Sequence, residues 1–426
     1  MRARWWGGLL TGAAALSIAI VNGASTKGQG QEPWPGVLDE HPDIQYASRP
    51  TKDRVARLNV TLTQNGRALQ RDSRTGYLHS VLEALGVPVE SQLLVFSKTG
   101  VQRAFTSPRN PRAIFFDQSV AVGFIPGAPV IELAAHDPQQ GVVFYTLDQA
   151  TDAPVFTRRT SCLTCHVSAG TLEVPGMIVR SHTVGNDGNL VPQGDLHNVN
   201  HRTPHTDRWG GWFVTSEDAA PPYAQLGHRG NITFFGRGNT SNQVFVDWLN
   251  SSPETLGYLS PSSDIVALLV FDHQMHAINL LTRLNWESRV VSSDVQAGAS
   301  GGMVAGLVAE LADYLLFEGE ATPSAPLAPS RGFALRLESR TPKDRRGRSC
   351  GQLDAVNRLL RYPCSFMVYS EAFDGLSPAV KQAVYRRMLD TLSKNDAHGR
   401  DARVVADNRR AVLEILRDTK PDFPHH

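Results

Sequence analysis

The run RTSCLTCHVS, from Arg159 to Ser168, puts two of the chain's four cysteines three positions apart with a histidine directly behind. Whatever this group serves, the fold around it must present two thiols and an imidazole within one turn of chain. At a usage of 4 Cys and 14 His in 426 residues, chance produces such a pentad in roughly one chain in a thousand. A chemical reason for it is therefore required.

A c-type haem is held by two thioether bonds and by an imidazole that ligates the iron from one face, and C-x-x-C-H supplies these three groups together. The assignment is Cys162 and Cys165 as attachment points and His166 as proximal ligand of one covalent haem c. A structural zinc site would take four protein ligands, and the remaining cysteines, Cys350 and Cys364, lie too far apart to form a second C-x-x-C. A thioredoxin-like pair opens a helix after a strand, whereas this pentad stands in polar, loop-like sequence. Haem is the favoured reading, with a redox disulfide and a metal site as the alternatives.

The N-terminus carries Arg2 and Arg4 before an apolar run from Trp5 to Val21, then Gly23, Ala24 and Ser25. This is the layout of an export signal over residues 1–24. An uncleaved anchor is the alternative, because a run of this length lies near the lower limit for spanning a bilayer. No later segment has so long an uninterrupted apolar run, so no membrane span is expected in the mature chain. The resemblance of the pentad to c-type cytochromes implies haem attachment outside the cytoplasm, which agrees with the signal and predicts a periplasmic or secreted protein. In an oxidising compartment a cysteine pair tends to bridge, so Cys350 and Cys364 are the disulfide candidate; a loop of this size would constrain the unfolded chain by roughly 3 kcal/mol. With 42 basic and 41 acidic residues, bulk charge gives no reason to expect nucleic acid as a partner.

The expected fold class is α+β: an N-terminal antiparallel β-rich part, a loop-rich c-type haem region and a helical C-terminal part. Residues 25–43 read as a Gly/Pro-rich linker. Residues 44–155 hold helices near 52–63 and 75–85, then the strands QLLVFSK, RAIFFD, SVAVGFI, VIELAAH and GVVFYTLD. Residues 156–260 carry the pentad, with brief strand-like pieces MIVRSH and GGWFVTS. Residues 261–426 are read as helices near 262–287, 303–317, 353–361, 378–393 and 404–417.

The sixth ligand separates an electron carrier from a catalyst, because a filled coordination sphere favours electron transfer and an exchangeable position permits small-molecule chemistry. In IVALLVFDHQMHAINLLTR, Val266, Leu269, Val270, Ala277 and Leu280 form an apolar helix face that includes His273, with His276 beside it. His273 is therefore the leading distal candidate, followed by Met177, His201 and His228. Arg180, Arg202, Arg208, Trp209 and Trp212 crowd the same region and could meet the haem propionates through guanidinium forks and indole N–H groups.

Several runs together resemble a group of uncharacterised, exported bacterial proteins that carry a single c-type haem motif. They are LLVFSKTGVQ, NPRAIFFDQSVAVGF, VVFYTLDQ, SCLTCH, VPGMIVRS, HRTPHTDRWGGWFVT, GHRGN, DHQMHAINLLTRLNWE and RYPCSFMVYSEAFDGL, between Leu93 and Leu376. The resemblance implies haem attachment through Cys162 and Cys165, ligation by His166 and a periplasmic redox setting. The functional expectation is one-electron transfer to a redox partner protein. The alternatives are a haem oxidoreductase acting on a small molecule at an open iron face and a haem-based sensing protein. No Ser-His-Asp order, phosphate loop or zinc protease motif competes with these.

Overall fold

Segments in which bulky and small side chains alternate, bounded by Gly, Pro and Asp, give the strands their two faces. The computed structural model describes residues 40–64, 68–185, 187–215, 257–260, 262–293, 300–323, 326–327, 329–394 and 402–424. Residues 1–24, read above as an export signal, residues 25–39 of the expected linker, His228 and the GHRGN run lie outside them. Strands β1 (Leu93–Val95), β2 (Arg112–Phe116), β3 (Val120–Phe124), β4 (Val130–Asp137), β5 (Gly141–Asp148) and β6 (Phe156–Arg158) follow one another. β7 (Val179–His182) and β8 (Leu196–Val199) form a separate antiparallel pair, while β9 (Trp212–Phe213) returns to β1. The large sheet has seven strands in the order β6-β5-β4-β3-β2-β1-β9, every neighbour antiparallel. The protein is α+β, as the sequence predicts.

One face of the sheet carries Ala113, Phe115, Val120, Val122, Phe124, Ile131, Ala135, Val143 and Leu147. They pack against α1 (Arg54–Gln64) and α2 (Leu78–Leu85) through Val55, Leu58, Leu78, Val81 and Leu85. α1 starts at Asp53, whose Oδ1 accepts the N–H groups of Val55 and Ala56, both at 2.9 Å, which satisfies two otherwise orphaned donors. α2 stops at Gly86, in left-handed backbone at φ 62°, a conformation that glycine adopts without strain.

The pentad forms a single turn, α3 (Leu163–His166). Behind it runs α4 (Ile265–Ser293), longer than the sequence suggests and buried along most of its length up to Ser288. Its Val266, Leu269, Val270, Ala277 and Leu280 are buried as expected, but so are Asp272, Gln274, Asn279, Thr282 and Arg283. Residues Ile265–Ser292 are long and apolar enough to cross a bilayer, yet 94% of that window is buried inside the protein, which fits a core helix. α5 (Ser300–Leu315) packs on α4, and α6 (Arg331–Ser339), α7 (Glu371–Asp374), α8 (Pro378–Leu392) and α9 (Ala402–Thr419) follow.

Two expectations are corrected. Residues 353–361 are not helical but fold back as a turn, with Arg361 N donating to Gln352 O at 2.8 Å and Ala355 at φ 58°. Asp354 Oδ1 accepts the N–H groups of Val356 and Asn357 at 3.2 and 3.3 Å, so side-chain hydrogen bonding displaces the helix that the periodicity suggested. Conversely, the stretch between 317 and 353, where no helix is expected from the sequence, contains α6, capped by Ser330, with Phe333 and Leu337 buried one turn apart. Residues Val37–His426 form one compact unit.

Candidate functional site

The second face of the sheet bears smaller residues. Cross-strand registers align Ile114, Gly123, Glu132 and Thr146 in one row and Phe116, Ala121, Ala134 and Phe144 in the next. At one end this face is closed: the Phe116 ring lies 4.8 Å from that of Phe271 on α4 and 6.1 Å from that of Phe333 on α6. At the other end it is the floor of an open cleft of about 180 Å3. Cys162, Cys165, His166 and Met177 line the same cleft, together with Ile114, Ala121, Gly123, Ala134 and Phe144.

His166 is fixed from two directions. Its Nδ1 lies 2.9 Å from the Gly176 carbonyl oxygen, and its ring centroid lies 4.6 Å from that of Phe144. A carbonyl only accepts, so Nδ1 carries the proton and Nε2 is left with its lone pair. Burial holds the imidazole below its ordinary pKa; the Gly176 contact opposes this, while Arg112 and Arg180 reinforce it. The ring is thus a neutral nitrogen donor, the form a metal ligand requires. Cys165 is exposed and Cys162 half-buried, both as thiols. Burial raises the Cys162 thiol, followed by the charge of Glu132.

The loop behind the pentad is held by α4. Asn279 Nδ2 donates to Met177 O at 2.8 Å and Arg283 Nη1 to Leu172 O at 3.3 Å. Gly176 approaches α4 so closely that a β-carbon there would fall 2.2 Å from Asn279 Oδ1. Pro175 O accepts from Val142 N of β5 at 3.1 Å, so helix and sheet both set the carbonyl that orients His166.

The structure gathers some of the candidates and separates others. Met177 lines the cleft, but His273 does not: its Nδ1 lies 2.7 Å from His201 Nδ1 and its Nε2 lies 2.6 Å from Ser365 Oγ. His201 and His273 both stack on Tyr314 and Phe317. His273 is a buried histidine with both ring nitrogens hydrogen-bonded, away from the cleft.

Of the five propionate candidates, Arg180 is near enough to bear on His166. Arg202 pairs with Glu310 at 2.6 Å, and Arg208 is buried against Asp272 at 3.1 Å. The indoles of Trp209 and Trp212 donate to His205 O and Arg180 O at 2.9 and 2.8 Å. Cys350 and Cys364 are brought together as two buried thiols in hydrogen-bond contact, which is the first cause raising Cys364. They are not bonded to each other in this structure.

Sequence reasoning missed Arg112, Glu132 and the floor itself. The signal was present in VAVGF and LAAH, where the positions between bulky residues are Ala and Gly rather than the polar residues a wet face would carry. Among the described residues, no three His, Cys, Asp or Glu side chains form a group that could hold a metal ion. No family profile, curated protein or solved structure matches this chain.

Proposed function

We propose that this chain is an exported monohaem protein of c type that carries single electrons to and from a redox partner protein. The observation that supports this best is the hydrogen bond from His166 Nδ1 to the Gly176 carbonyl, which leaves Nε2 as a lone-pair donor in the wall of an apolar cleft shared with both thiols. A bound haem supplies a one-electron iron couple. Cys162 and Cys165 would hold it covalently, His166 would ligate it, and Ile114, Ala121, Ala134 and Phe144 would exclude water from its apolar surface. Arg112 and Arg180 are the cations beside His166. The reading agrees with the export layout of residues 1–24, which would place attachment outside the cytoplasm.

Met177 is the candidate sixth ligand, as the one residue nominated for that role that lines the cleft among the described residues. The second reading, a haem oxidoreductase acting on a small molecule, rests on the same observation: with Met177 elsewhere, the iron would keep an exchangeable face. Spectra of the exported, haem-loaded protein separate the two. The carrier reading expects a low-spin spectrum unaltered by carbon monoxide or cyanide, and ready binding in Met177→Leu. Ready binding by the unmutated protein would overturn the carrier reading in favour of the oxidoreductase.

A further inference from the structure

Among the described residues, Arg112 is the one arginine or lysine that lines the cleft. Its side chain runs along the floor, where a β-carbon on Gly123 would lie 3.5 Å from Arg112 Cδ. It ends in a notch beside Gly100, where a β-carbon would fall 1.5 Å from Nη2 and 2.6 Å from Cζ. Any larger residue at 100 would evict the guanidinium. The side chain is only 18% exposed, and the nearest carboxylate atom, Glu132 Oε2, lies 3.7 Å from Nε, beyond hydrogen-bond distance. Arg112 Nε and Glu132 Oε1 are both buried without a hydrogen-bond partner among the described residues.

A buried charged donor left in this state is costly, and a planar guanidinium fork is matched best by a carboxylate that takes two parallel N–H bonds. The cleft therefore has the form of a site for an amphipathic plate. Small and apolar side chains lie under its face, two thiols stand at one edge, and an incompletely satisfied guanidinium stands elsewhere on the rim. We propose that Arg112 anchors a carboxylate of the bound group, which on the haem reading above is a propionate. Covalent attachment through Cys162 and Cys165 fixes one edge of the macrocycle, and Arg112 fixes its orientation within the cleft. Glu132 balances the charge of Arg112 without occupying its donors.

The test uses the exported, haem-loaded full chain and its variants R112L, R112K, E132Q and G100A. The readouts are covalent haem on a denaturing gel, Soret circular dichroism and midpoint potential. Every variant is expected to retain covalent haem. R112L should lose the induced Soret signal and shift the potential downward, because removing a positive charge disfavours the reduced iron. R112K should restore most of the potential but not the full Soret signal. E132Q should shift the potential upward with the Soret signal intact. G100A, which keeps every charge, should weaken the Soret signal and serves where R112L does not fold. An R112L or G100A protein identical to the unmutated one would overturn the assignment. So would an E132Q protein that loses the Soret signal as R112L does, since the pair would then be only structural. Absence of covalent haem from the unmutated chain would overturn the haem reading itself, an outcome seen on the gel before any potential is measured.

Discussion

His166 and Gly176 hold each other through two hydrogen bonds: the ring Nδ1 lies 2.9 Å from the glycine carbonyl oxygen, and the glycine N–H donates to the His166 carbonyl at 3.0 Å. The nine residues between them form a closed loop whose far side rests on α4. Orientation of the imidazole thus depends on a helix more than a hundred positions away in sequence.

The first prediction concerns that dependence. Gly176→Ala places a methyl group 2.2 Å from Asn279 Oδ1, and overpacking of this kind costs about 1–3 kcal/mol. Asn279→Ala removes the bond to Met177 O at a cost of about 1 kcal/mol, but it also opens the space. In urea unfolding the double variant should lose less than the sum of the two single losses. Simple additivity would contradict the contact.

A second prediction is acid lability. Burial pushes His136 down to about 4, opposed by Asp137, and pushes His273 down to about 3, with His276 and Arg202 adding to the effect. Both are neutral in the fold, whereas the unfolded chain protonates them below about pH 6.5. The unfolded state then binds more protons, so the stability present above pH 6.5 is lost as pH falls toward the folded values. The slope is about 1.4 kcal/mol per pH unit for each group. Urea midpoints should therefore drop between about pH 7 and pH 5, and His136→Gln should flatten the slope. Equal midpoints across that range would contradict burial of neutral imidazoles.

The buried pair Arg208–Asp272 gives a third prediction. Both side chains are almost fully buried at 3.1 Å, and removing one partner strands the other charge. Asp272→Ala should cost about 3–5 kcal/mol, read from thermal or urea unfolding. A loss below about 1 kcal/mol would show that the charge is relieved elsewhere.

The fourth concerns Cys350 and Cys364, which stand in thiol contact inside the protein. In protein recovered after export, alkylation under denaturing, non-reducing conditions should label neither residue, and prior reduction should expose both. Labelling of both without reduction would show that they remain thiols.

Much of this architecture is legible in the sequence because it rests on local rules. Alternation along residues 93–148 marks β1 to β5, and Gly86 marks the end of α2. The pentad marks its own turn. What is not legible depends on cross-strand registry and long-range partners. Ala121, Gly123 and Ala134 become one floor only when β3 and β4 are paired, and Arg112 reaches the cleft only because Gly100 makes room. His273 looked like a ligand because it sits on an apolar helix face. Its two partners, His201 and Ser365, come from segments 72 and 92 residues away, and no helical periodicity reveals them.

The central claim is that Cys162, Cys165 and His166 hold a covalent haem, and the most direct test is haem staining and intact mass of the exported protein after denaturation. The account predicts one haem retained by the unmutated chain and none by the Cys162→Ala, Cys165→Ala double variant. A chain without covalent haem when expressed with a working haem-attachment system, or a double variant that retains it, would contradict the account.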